Sequence, residues 1–301
     1  MNKEISNTND KKKVVIQLVI FMLLATLPLS VVVLIANHMV GGLLFASGDH
    51  VEVITLVSAL GMMFPSLAHF LTRVITKEGW KDNYLMPRLK GNMKYYFAAV
   101  WVIMAASVLF FLIFCKVYAP QVPLMKTFYV DKYGMKFADM LFTLGIAVFI
   151  FFPYFGEEWG WRGYMMPKLM QIMNKPMAVL VGGILWALWH APLTLSGHNL
   201  GVDYPGYPWK GIVMMCISCT GLNAFLTWLT EKSKSIYPAT ICHGVFNSIG
   251  LLHFVTMMAS KELVEAIDDL TQYEAFKCLN VVCVIMGVIF VFLLCQKKKE
   301  L

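Results

Sequence analysis

Gly156-Glu157-Glu158-Trp159-Gly160-Trp161-Arg162-Gly163 places two adjacent carboxylates and an arginine within a chain that is otherwise largely apolar. An ionisable side chain in hydrocarbon costs roughly 3 kcal/mol or more, so such groups mark a pathway or a reactive site. Glu158 and Arg162 are four residues apart and share one helix face, while Glu157 points about 100° away. The spacing therefore predicts one glutamate paired by the arginine and its neighbour left free. Pro153, four residues before Glu157, is expected to kink the helix just ahead of the pair, because it withholds an N–H from the carbonyl of residue 149. Gly156, Gly160 and Gly163 supply the small surface that lets membrane helices approach closely.

Outward from this stretch the chain is hydrophobic. Of 301 residues, 58% are apolar and 14% charged, and the mean hydropathy is +0.66. That balance predicts an all-α polytopic membrane protein. Apolar runs of spanning length give about eight transmembrane spans, near 14–37, 51–75, 98–118, 137–167, 177–196, 211–230, 237–258 and 276–296. They form a single transmembrane domain over 14–296, with a polar N-tail at 1–13 and a C-tail at 297–301. Lys and Arg gather in the N-tail, between Arg73 and Lys94, between Arg162 and Lys175, at Lys232 and Lys234, and at Lys297–Lys299. All of these fall on one side of an eight-span chain, which predicts both termini in the cytoplasm of a cell membrane, or of an endoplasmic reticulum membrane in a eukaryote. The formal charge of +7 is thereby explained by topology and attraction to lipid, and no nucleic-acid partner is needed. The seven cysteines lie in or beside apolar runs and read as packing residues, Cys216 and Cys219 included.

Two further polar clusters fall inside spans. His190 follows Trp186 by four residues, and His243 and Asn247 share a face of span seven. At 1.5 Å per residue, these groups and Glu157 reach similar depth, so one joint site is expected, built on spans four, five and seven. His69, Asn223 and Asn280 read as interhelical hydrogen-bonders, and His253 as an interfacial residue. The run from His198 to Trp209 reads as an outer loop with interface anchors.

A Glu-Glu-x-x-x-Arg, an aromatic-x-x-x-His on the next span and a His-x-x-x-Asn two spans later resemble the CPBP family, which holds the type II CAAX prenyl endopeptidases and bacteriocin-processing or immunity proteins. The resemblance covers about 137–248. In the family the second motif usually begins with phenylalanine, and here Trp186 holds that place. The resemblance implies an intramembrane endopeptidase in which Glu157 is general base on a water, His190 helps activate that water, and His243 and Asn247 donate to the oxyanion, with Glu158 and Arg162 ordering the site. It implies contact with membrane lipid and a membrane-tethered substrate, either a CAAX-type prenylated tail or a leader peptide. No cofactor is expected; zinc or another divalent metal on a carboxylate and two histidines is the alternative. A non-catalytic immunity or scaffold role is the competing reading, and a proton-coupled transporter is weaker because no second copy of the acidic motif is present.

Overall fold

The computed structural model describes residues 8–46, 49–126, 142, 145, 151–249 and 259–296. Among them the chain is helical: α1 (Thr8–Met39), α2 (Val51–Thr76), α3 (Met93–Tyr118), α4 (Phe152–Gly160), a π-helical turn (Trp161–Met165), α5 (Met166–Ile172), α6 (Lys175–Trp189), α7 (Ala191–Thr194), α8 (Trp209–Ser233), α9 (Tyr237–Ile249), α10 (Lys261–Ala266) and α11 (Gln272–Cys295). Helices α1, α2, α3, α8 and α11 are each long and apolar enough to cross a membrane, and α6 is a shorter apolar helix. Large side chains such as Ile16, Leu34, Trp101, Val288 and Phe292 point outward, as expected for helices solvated by lipid. The protein is an all-α polytopic membrane protein.

Several expected boundaries shift. Span five does not run on to residue 196, because α6 ends at Trp189 with His190 as its cap. Pro192 has no N–H for the Leu188 carbonyl, so the helix stops there and restarts as α7. The expected start of span four at Phe137, the end of span seven, His253, Lys3 and Lys297–Lys299 lie outside the described residues, while Lys11, Lys12 and Lys13, expected in the N-tail, fall inside α1. The carbonyl of residue 149 also lies outside the described residues, and Pro153 itself sits in the first turn of α4.

Two groups of helices frame the site. In one, α2 packs against both α1 and α4; in the other, α8 packs against both α6 and α11. Helix α9 joins them, touching α3, α4 and α8. The α2–α4 contact depends on the glycines, since a Cβ at Gly160 would lie 2.5 Å from the backbone of Pro65 and one at Gly156 2.5 Å from the Met62 carbonyl. Gly160→Ala is accordingly expected to lower stability by about 1–3 kcal/mol through overpacking, read as a fall in thermal unfolding temperature in detergent.

Across the same contact, a polar network fixes the acidic helix to α2. His69 donates through Nδ1 to the Trp159 carbonyl at 2.9 Å, and its Nε2 accepts from Arg73 Nε at 2.6 Å. A carbonyl can only accept, so these two bonds set one tautomer. Arg73 also donates to the Gly79 carbonyl at 2.5 Å. Beyond α2, Glu78 accepts from Tyr164 at 2.7 Å and pairs with Lys168. His69 is thus the interhelical hydrogen-bonder its position suggests. Asn223 behaves likewise, donating to the Val179 carbonyl at 2.9 Å, and Asn280 accepts from Ser218 at 2.5 Å.

Candidate active site

Helix α4 carries the acidic pair, and the π turn follows it directly. Pro167 has no N–H and its ring crowds the carbonyl four residues back, which favours a widened turn ahead of it. Consistent with this, the Met166 N–H bonds to the Trp161 carbonyl, five residues back. Glu157 is 2% exposed, Glu158 0% and Arg162 1%, so all three are desolvated.

Arg162 Nη1 donates to Glu158 Oε1 at 2.9 Å, the pairing predicted by the four-residue spacing. The same oxygen takes His243 Nδ1 at 2.8 Å. A carboxylate bound to a guanidinium accepts, so Nδ1 carries the hydrogen and Nε2 is the nitrogen left for other partners. The Arg162 guanidinium also lies 4.1 Å from the centroid of the Trp186 ring, a cation–π contact strengthened by desolvation. Glu158 therefore holds α4 and α9 together.

Glu157 is not free, which corrects the reading from spacing alone. Its Oε2 accepts from the indole nitrogens of Trp161 at 3.1 Å and Trp186 at 2.9 Å. The spacing argument considered charged partners only, and indole N–H groups are donors that must be satisfied when buried. Among the described residues, Oε1 of Glu157 takes no hydrogen bond, so one carboxylate oxygen is fixed and the other is available. Removing one indole donor is testable: Trp186→Phe keeps an aromatic face for Arg162 but loses a hydrogen bond to a charged group. The expected loss is about 1.5–3 kcal/mol, measured by equilibrium unfolding in mixed detergent.

Trp186 forms part of the wall of a cavity of about 270 Å³, together with His190, His198, His243, Phe246 and Asn247. Helices α6, α8, α9 and α11 contribute to it. His190 Nδ1 donates to the Trp186 carbonyl at 2.9 Å, which again leaves Nε2 open. Asn247 is exposed and His243 buried, so the α9 pair runs from the cavity floor toward its opening. The three clusters expected to meet do meet, with Glu157 reaching the cavity wall through Trp186. Sequence reasoning passed over Trp161, whose position four after Glu157 was a usable signal, and assigned His198 to an outer loop with no signal that it lines the cavity.

As to a metal, Nε2 of both His190 and His243 is open, while Oε2 of Glu157 already takes two indole donors. Among the described residues, no three His, Cys, Asp or Glu side chains come together at ligating range. A catalytic zinc takes three protein ligands. All seven cysteines are free thiols.

Residues 139–249 match the family model described as type II CAAX prenyl endopeptidase Rce1-like. That stretch is similar to the type II CAAX prenyl endopeptidases. A curated relative, the CAAX prenyl protease 2 of Methanococcus maripaludis, is 30% identical over 118 residues. The alignment covers 38% of this chain and 41% of the relative, so the chain spans less than half the length of the protein it matches. The matched stretch includes every residue of the three polar clusters, and α1, α2, α3 and α11 lie outside it.

Proposed function

We propose that the protein is an intramembrane endopeptidase that hydrolyses a peptide bond in a membrane-tethered substrate by activating a water with Glu157. The observation that carries this reading is the divided carboxylate: Oε2 is held by two indoles, one of them Trp186 in the wall of a cavity that gathers His190, His243 and Asn247, and Oε1 takes no hydrogen bond among the described residues. Two fixed donors set the orientation of Oε1, which is what a general base requires. In the proposed step, Oε1 takes a proton from a water that His190 Nε2 helps to hold. The resulting hydroxide adds to the substrate carbonyl carbon. His243, as imidazolium, and Asn247 donate to the developing oxyanion, a contribution of around 3–4 kcal/mol per donor in other hydrolases. The carbon–nitrogen bond then breaks, and the amine recovers the proton from Glu157. Glu158 and Arg162 order the site, since Glu158 fixes the tautomer and position of His243.

The family description and the relative's name favour a CAAX-type prenylated tail as substrate. The test uses purified protein in liposomes with a panel of prenylated and unmodified membrane-tethered peptides, with and without a chelator, in water enriched in oxygen-18. Cleavage with one heavy oxygen in the new carboxylate, unaffected by chelator, is the expected result. Loss of activity in chelator would overturn the metal-free step. A panel left uncut by folded protein would favour a non-catalytic binding role.

A further inference from the structure

The cavity has a second polar wall outside the three motifs. His198 and Asn199 line it from the turn that follows α7, a stretch the sequence presents as an outer loop. The turn is clamped to the link between α1 and α2. Phe45 N donates to the Ser196 carbonyl at 2.9 Å, Asn37 Nδ2 donates to Ser196 Oγ at 2.8 Å, and Asn37 Oδ1 accepts from Leu44 N at 2.9 Å. Gly197 has φ +95°, and a Cβ there would lie 3.2 Å from the backbone of Phe45 and Ala46, so only glycine suits the position. Two residues on, Asn199 is also left-handed at φ 69°, a conformation asparagine tolerates. The segment is therefore built to present two side chains in fixed directions.

His198 is partly buried, with its ring edge-on to Phe45 at 4.8 Å. Among the described residues, its ring nitrogens take no hydrogen bond. Asn199 Nδ2 has only the Met215 sulfur at 3.8 Å, a weak acceptor. Burial, with His190 nearby, pushes the His198 imidazole down to about 3, so the ring is neutral at physiological pH. A neutral imidazole offers one donor and one acceptor, the complement of a peptide unit.

We infer that His198, supported by Asn199, binds the main chain of the peptide substrate beside the scissile bond. This rests on the peptidase reading for the identity of the ligand. It makes His198 a substrate-positioning residue that takes no part in bond breaking.

The experiment compares native protein, His198→Ala, His198→Phe and His198→Gln in liposomes, using the best-cut peptide of the panel. His198→Ala is expected to raise KM about tenfold, the worth of one to two hydrogen bonds, with kcat within about threefold. His198→Phe, which keeps the packing on Phe45 but has no polar atoms, should behave like alanine, and His198→Gln should recover most of the native KM. A native-like KM in His198→Phe, or a fall in kcat with KM unchanged, overturns the inference. In parallel, a farnesylated CAAX-type peptide is titrated against Glu157→Gln protein with and without His198→Phe. If the native chain cuts nothing yet His198→Phe weakens this binding about tenfold, the hydrolysis reading fails and the inference stands. Equal binding, or none to either protein, overturns it.

Discussion

Glu158→Ala is expected to cost about 3–5 kcal/mol of stability, the usual penalty for stripping one partner from a buried ion pair. The reason lies in what remains. Arg162 is 1% exposed, and its Nε and Nη2 already have no protein acceptor among the described residues, so the substitution leaves a whole guanidinium uncompensated on the face of Trp186. His243 would lose its Nδ1 acceptor at the same moment, loosening α9 against α4. Thermal unfolding and the yield of monodisperse protein read the effect. Arg162→Ala should be comparably damaging, and the double variant less damaging than the sum, because both single changes destroy the same pair. A Glu158→Ala protein that melts like the native chain would show that the pair does not hold the site together.

Glu157→Gln should separate chemistry from folding. The amide oxygen can still accept from Trp161 and Trp186, so unfolding should change little. A glutamine cannot take a proton from water, and general-base catalysis contributes about 100- to 10,000-fold. Under the proposed mechanism, kcat therefore falls by about that factor while peptide binding persists. Activity retained in Glu157→Gln would remove Glu157 from the reaction and shift attention to His190 Nε2.

The sequence carried the membrane class and the meeting of the motifs because both rest on local rules. Apolar length reports spans, and a four-residue interval reports a shared helix face, which is why the Glu158–Arg162 pair could be read directly. Glu157 was misread because one of its donors, Trp186, comes from another helix, and no interval within α4 points to it. The early stop of α6 was legible in Pro192, a signal outweighed by the apolar run around it. His198 was out of reach for a different reason. Its place in the cavity depends on Ser196 meeting Asn37 and Phe45, which lie far from it in the chain and reach it only through the path of the backbone.

The π turn at Trp161–Met165 adds, in effect, one residue to the helical count. Everything after it is thrown out of phase with Glu157 and Glu158 by the angle of one residue. Tyr164, inside the turn, and Lys168, after it, both face Glu78. Removing a single residue between Arg162 and Pro167 would close the turn into ordinary helix and swing that anchor away from Glu78, with no change to either glutamate. Length in this segment is thus a constraint separate from composition. A chimera or an ungapped alignment that preserves every motif letter but drops one residue there would carry the site's residues without its frame.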